Sequence, residues 1–317
     1  MTFVHNVFLS ARTARDIDLR IARVLKDLGN SQPPLRLEPV RELLRLDRRY
    51  YSSTDQGVLR EVSHRLRVAG KQVFARPSLL LEAVQKFDLR ALFLPDRRRI
   101  LLDATLPDAK QRWSEAHEIG HSLIDWHADT MFGDTRHTLT PSCQEQIEAE
   151  ANYAAGQLLF LQELFVRDAR DLDPGIEAVL ALKKRYENTI TTTLWKYVEQ
   201  SDLPLIGGIS DHPLRPGAEF QTARPFRYFI VSRRFVQAFS KTKETDIFRK
   251  IQRYCENRRG GPLGSAEVIL ADDSGIRHLF QFDTFFNRYD ALTLGVHRGE
   301  VPRVFAPQMK LINDIVS

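Results

Sequence analysis

Cysteine is scarce in this chain of 317 residues, which contains only Cys143 and Cys255. Two cysteines cannot form a disulfide framework, and such scarcity is typical of proteins in a reducing compartment. No stretch approaches the run of about 18 apolar residues that a membrane-spanning helix needs. The N-terminus also lacks the basic flank, long apolar run and cleavage site of a signal peptide. We therefore expect a cytoplasmic protein without a membrane span.

The sequence has no concentrated charge of either sign. It carries 46 Lys and Arg residues against 41 Asp and Glu residues, a net charge of +5, and its basic runs are as short as Arg97-Arg98-Arg99. Nucleic-acid interfaces usually collect basic residues on one face. The scattered pattern favours a solvated surface, so we expect no direct nucleic-acid binding. Nothing in the composition predicts an oligomeric state.

The first two thirds of the chain are mainly helical in their periodicity. Two short apolar runs, Ala91–Leu94 and Ile100–Leu102, flank a turn-forming Pro-Asp-Arg-Arg segment and predict a β-hairpin. Apolar spacing predicts helices elsewhere in this region. The predicted helices span residues 17–28, 35–46, 58–68, 77–87, 108–125, 143–165, 175–186 and 189–200.

A cluster of Pro and Gly residues, from Pro204 through the Gly207-Gly208 pair to Pro216, predicts a domain boundary. Beyond it, strands are expected at 227–235, 266–271 and 292–297, with a helix at 240–257. The predicted class is α+β. We expect a mainly helical domain with a small sheet at 1–203 and a small α+β domain at 204–317. The role of the second domain is unknown, and ligand sensing is one interpretation.

The segment WSEAHEIGHSLID, residues 113–125, carries the clearest chemical signal. His117 and His121 are four residues apart, so on a helix they project from one face and can reach one metal ion. Glu118 is rotated by about 100° from His117 and is suited to take a proton from water at the metal. Small and apolar neighbours make a solvated surface helix a poor explanation of the pair.

A catalytic zinc ion usually has a third protein ligand, and three residues compete for that position. His127 has the metzincin spacing, but Ile124 occupies the position where that pattern needs Gly. Glu148 lies on a later predicted helix and shares a face with Asn152, which could hydrogen-bond a ligating histidine. Glu150 points away from that face. We favour Glu148 as the ligand, and solvated helix charges remain the ordinary alternative for both glutamates.

These residues together resemble the ImmA/IrrE family of cytoplasmic zinc metallopeptidases, over roughly residues 15–200. The resemblance rests on two motifs. The matching residues are Ala116, His117, Glu118 and His121, followed by Glu148, Glu150, Ala151, Asn152, Tyr153, Ala154, Leu158 and Leu159. It implies a zincin-like first domain, a Zn²⁺ ion held by the two histidines and Glu148, and Glu118 as the catalytic base.

The resemblance also implies a function in transcription regulation and stress response. The expected activity is a zinc endopeptidase in which Glu118 assists the attack of zinc-bound water on a regulatory protein, such as a helix-turn-helix repressor. Tyr153 and His127 are candidate donors to the oxyanion, and the strand near Ile100 is a candidate edge for an extended substrate. The alternative is a zinc-bearing transcriptional regulator or toxin-type protein that binds a partner without proteolysis. Intact Glu118 favours catalysis.

Overall fold

The computed structural model describes residues 4–29, 31–51, 91–127, 141–219, 223–255 and 261–301. The chain divides into two compact units, one of residues 5–200 and one of residues 1–4 with 201–317. The class is α+β, as predicted, with helices and two sheets. The predicted helices at 58–68 and 77–87 lie outside the described residues. Among the described helices, none combines the length and apolar character that a membrane span requires.

The described helices and strands are numbered separately, each in chain order. The helices are α1 (Ala11–Asp27), α2 (Leu37–Leu43), α3 (Asp108–Leu123), α4 (Pro141–Leu159), α5 (Glu163–Arg170), α6 (Ile176–Tyr186), α7 (Ile190–Glu199), α8 (Arg233–Ala238) and α9 (Glu244–Cys255). The strands are β1 (Val4–His5), β2 (Asp47–Tyr51), β3 (Ala91–Leu94), β4 (Arg99–Asp103), β5 (Leu205–Asp211), β6 (Phe226–Val231), β7 (Gly261–Ala271), β8 (Arg277–Phe286) and β9 (Asp290–Glu300).

The smaller sheet has the order β2-β4-β3. The predicted hairpin is confirmed, since β3 and β4 pair antiparallel with Phe93 opposite Ile100. Strand β2 was not predicted, because its sequence DRRYY is charged and lacks apolar alternation; it pairs parallel to β4. The expectation that the Ile100 strand offers an edge to a substrate is therefore wrong. That strand is central, and within the described residues β3 is an edge strand.

Helices α3 and α4 meet at a contact of very small residues. A Cβ atom added at Gly120 would lie 2.9 Å from the backbone oxygen of Ala151 and 3.1 Å from the Cβ atom of Ala154. Glycine is needed here because the α4 backbone occupies the space that a side chain would fill. The backbones of the two helices consequently lie close together directly beside His121.

The helix predicted at 143–165 is interrupted in the structure. Helix α4 ends at Leu159, and both Leu161 and Gln162 have positive φ angles, of 55° and 49°. Helix α5 then starts at Glu163. Aromatic packing accompanies the break: Phe160 and Phe165 stack edge to face with ring centroids 4.7 Å apart. Good helix formers on both sides concealed this tertiary constraint.

The second unit is built on a six-stranded sheet of order β1-β6-β5-β9-β8-β7. The Gly207-Gly208 pair, which suggested a boundary, lies inside the fully buried strand β5. Gly208 is required there because a Cβ atom would sit 2.2 Å from the ring of Phe226. Residues 233–235, predicted as strand, begin helix α8, whose first turn is capped by the Ser232 side chain. Strand β8 was not predicted.

Candidate metal centre

Three side chains from two helices bring their donor atoms together. His117 and His121 lie on α3, and Glu148 lies on α4. The two Nε2 atoms are 3.1 Å apart, and the Glu148 oxygens are 3.2 Å from His117 Nε2 and 3.8 Å from His121 Nε2. Bonds of about 2.0–2.1 Å in a tetrahedral site place neighbouring donors roughly 3.3 Å apart. The group has the donor types and spacing that could hold a metal ion.

The three candidate ligands differ in exposure. The His121 side chain is 5% exposed, whereas the Glu148 side chain is 60% exposed. The group therefore has a buried side and a solvent-facing side. A hydrogen bond with His117 holds the pKa of Glu148 below its ordinary value, even though burial opposes this shift. Glu148 is thus a carboxylate near neutral pH, the protonation state that metal binding requires.

Asn152 supports His117 from behind. Its Oδ1 atom lies 3.0 Å from His117 Nδ1. If His117 presents Nε2 to a metal ion, its Nδ1 atom carries the proton and donates it to the amide oxygen. Glu148 and Asn152 lie one helical turn apart on α4, as their spacing predicted. One face of α4 thus supplies a candidate ligand and the group that orients another.

Glu118 lies beside this group and is buried. Burial raises the pKa of its carboxyl to about 7, and nearby Glu148 also acts to raise it, while His117 and a hydrogen bond from the backbone N–H of Phe93 act to lower it. A carboxyl group with a pKa near neutrality can both accept and release a proton at physiological pH. A cation bound to its neighbours would favour the carboxylate form.

Behind His121 lies a chain of hydrogen bonds that was not predicted from the sequence. The Nδ1 atoms of His121 and His127 are 3.0 Å apart, and His127 Nε2 lies 3.1 Å from an oxygen of Glu150. Glu150 also accepts hydrogen bonds from Trp126 Nε1 at 3.0 Å and Gln146 Nε2 at 2.9 Å. Glu150 is only 1% exposed, so it is not a solvated helix charge. No local sequence pattern indicates this burial.

Tyr153 and His127 are not positioned as the oxyanion donors that the sequence suggested. The Tyr153 hydroxyl donates to the Asp18 carboxylate, whose oxygens are both 3.1 Å away, so its one proton is already used. Burial raises the pKa of this phenol, with Asp18 adding to the effect. His127 is fully buried, and both of its ring nitrogens are occupied by His121 and Glu150.

Comparisons with known proteins agree with the motifs. Residues 71–194 match the sequence profile of the IrrE N-terminal-like domain, a peptidase family. The chain is 29% identical over 115 residues to the radiation response metalloprotease IrrE of Deinococcus radiodurans, covering 36% of this chain and 35% of that protein. The match thus spans about a third of the curated relative. A Mycobacterium tuberculosis transcriptional regulator shares the fold, with a TM-score of 0.50, 13% identity and 90% of each chain covered.

Proposed function

We propose that this chain, which belongs to the ImmA/IrrE family through its residues 71–194, is a zinc-dependent endopeptidase. The observation that carries the proposal is the convergence of His117, His121 and Glu148, with buried Glu118 beside them. Two imidazoles and one carboxylate form a common ligand set of catalytic zinc, which leaves a position open for water. A zincin-like architecture for the first unit is part of this proposal.

The proposed chemistry divides between the metal and the chain. A zinc ion held by the three side chains would lower the pKa of water toward about 7 and polarise the carbonyl of the scissile peptide bond. Glu118 accepts the proton of the attacking water and passes it to the leaving amine. Asn152 keeps the His117 ring in the tautomer that leaves Nε2 free. The backbone amide of Phe93 donates a hydrogen bond to the Glu118 carboxylate and so orients this base.

The proposed substrate is a regulatory protein, such as a helix-turn-helix repressor. Support for this class comes from the family, because the described residues contain no feature that selects one target. An extended segment of the substrate can pair with β3, the strand whose Phe93 amide contacts Glu118. The alternative function, a zinc-bearing regulator or toxin-type protein that only binds its partner, requires the same metal but no base. The two functions therefore differ in the expected effect of changing Glu118.

Metal analysis tests the proposed site first. Purified protein should contain about one zinc ion per chain, and His121→Ala should lose it, because a two-ligand site binds zinc far more weakly. Glu145→Gln is the matched control, since Glu145 is an exposed carboxylate on α4 three residues before Glu148. Stoichiometric zinc in the His121→Ala protein would refute the ligand assignment.

Cleavage then tests the proposed activity. Wild-type protein and Glu118→Gln should bind zinc equally, but the variant should lose peptide-bond cleavage by a factor of about 10²–10⁴, the usual contribution of a general base. Labelling of newly formed protein N-termini in cells that express each form would reveal cleaved targets of any sequence. Zinc-loaded wild type and Glu118→Gln with identical N-terminal profiles would instead support the partner-binding function.

A further inference from the structure

The hydrogen bonds behind His121 fix where the protons of two histidines lie. If His121 presents Nε2 to the metal, its Nδ1 atom carries the proton. That proton points at His127 Nδ1, 3.0 Å away, which must then accept. A neutral His127 with an accepting Nδ1 atom carries its proton on Nε2, which faces the Glu150 carboxylate at 3.1 Å. Every donor in this sequence of contacts therefore meets an acceptor.

Glu150, at the far end of this series of hydrogen bonds, is also held by several donors. Glu150 accepts from His127 and from the Trp126 indole on one oxygen and from Gln146 on the other. A carboxylate that is 1% exposed needs such donors, because an unpaired buried charge is strongly disfavoured. The arrangement thus satisfies a buried anion whose negative charge lies two imidazole rings away from the candidate metal position.

The backbone after α3 explains how His127 reaches this position. Helix α3 ends at Leu123, and Ile124 is extended, with φ of −104° and ψ of 101°. The amide of His127 then donates to the Ile124 carbonyl at 2.9 Å, which closes a tight turn. Trp126 packs edge to face on the His127 ring, with centroids 4.5 Å apart. The ring is consequently fixed from its backbone, its face and both nitrogens.

We infer that His127 and Glu150 are positioning residues that hold His121 in its metal-binding tautomer and strengthen it as a ligand. The inference rests on the proposed function, because it requires that His121 binds the metal. Partners behind metal-binding histidines commonly contribute about 10- to 100-fold to metal affinity. The usual arrangement places a carboxylate or carbonyl directly against the histidine. In this chain a second histidine lies between them.

Zinc affinity is the first readout, measured by competition with a chelator of known affinity. Glu150→Gln keeps the size of the side chain and an oxygen that can accept from His127, but removes the charge. We expect it to bind zinc about tenfold more weakly or worse. Glu145→Gln, the same change at an exposed position of α4, should bind zinc like the wild type. Equal zinc affinity of Glu150→Gln and wild type would overturn the inference.

The protons themselves give a readout that a purely structural role would not alter. Nitrogen-15 NMR of histidine side chains in the zinc-loaded wild type should assign the proton to Nδ1 of His121 and to Nε2 of His127. A His127 proton on Nδ1 would overturn the inference. The experiments distinguish failure of the proposed function from failure of this inference. No zinc in the wild type would refute the proposed function, whereas normal zinc binding with the opposite His127 tautomer would refute only the positioning role of His127 and Glu150.

Discussion

Replacing Gly120 by alanine should loosen the metal centre without touching a ligand. The added Cβ atom would lie 2.9 Å from the backbone oxygen of Ala151 and 3.1 Å from the Cβ atom of Ala154. Neither neighbour is a flexible side chain that could rotate away. Ordinary contact begins near 3.4 Å, so α3 and α4 have to separate locally by about 0.5 Å.

The magnitude follows from two opposing effects. Overpacking of a close contact costs about 1–3 kcal/mol, and replacing a helical glycine by alanine returns about 1 kcal/mol. The metal-free protein should therefore lose about 0–2 kcal/mol of unfolding free energy. Metal–ligand bonds tolerate deviations of only about 0.2 Å. If about 1.4 kcal/mol of the strain opposes closure of the site, zinc affinity falls about tenfold.

The assay compares Gly120→Ala with Gly156→Ala in chelator competition and in urea unfolding. Gly156 is a buried glycine of α4, but its added Cβ atom would approach no atom closer than 3.8 Å, at Lys196 Nζ. The control should therefore gain up to about 1 kcal/mol of stability and keep its zinc affinity. Zinc binding by Gly120→Ala at the wild-type affinity would refute the argument that this backbone contact sets the spacing of the ligands.

Three further predictions address other parts of the chain. Burial lowers the pKa of Lys196 to about 8, below about 10.4 in the unfolded chain. The folded state then holds fewer protons, so unfolding free energy should rise between about pH 8 and 10 in the wild type relative to Lys196→Met, as urea unfolding can measure. Gly295→Ala should destabilise the second unit by about 2–3 kcal/mol, because its Cβ atom would lie 2.4 Å from the Phe282 ring; a normal melting curve would contradict this. Tyr153→Phe should lower the free energy of unfolding by about 1 kcal/mol but leave cleavage intact, because the phenol donates to Asp18. Lost cleavage in a folded variant would instead indicate that Tyr153 takes part in catalysis.

The candidate ligands could be predicted because their relation is local. Four-residue spacing on a helix is fixed by the backbone, so it pairs His117 with His121, and Glu148 with Asn152, before any tertiary structure is known. Bringing α3 and α4 together needed only the expectation that small residues permit close packing. Gly120 against Ala151 is that contact. The assignment of metal-binding roles to these residues stays a prediction until metal is measured.

Features that depend on partners far away in the sequence were not predicted. Strand β2 is stabilised by pairing with β4, and its own sequence has no apolar alternation that predicts a strand. The Gly207-Gly208 pair looks like a turn, but it makes room for the Phe226 ring inside a strand. Glu150 looks like a surface charge, because the residues that bury it, Trp126 and His127, follow the end of another helix. In each case the deciding interaction joins residues far apart along the chain.

The hydrogen bond from the Phe93 amide to Glu118 limits how a peptide could dock on β3. Outward amides alternate along a strand, and β3 ends at Leu94, one residue beyond Phe93. The residue that follows is Pro95, which has no amide hydrogen. Among the described residues of β3, Ala91 is then the remaining outward position for an incoming backbone. Backbone pairing alone would hold such a peptide weakly. Selection of a target by this chain would then depend on side-chain contacts around Glu118 and the candidate metal ligands, which different targets can satisfy to different degrees.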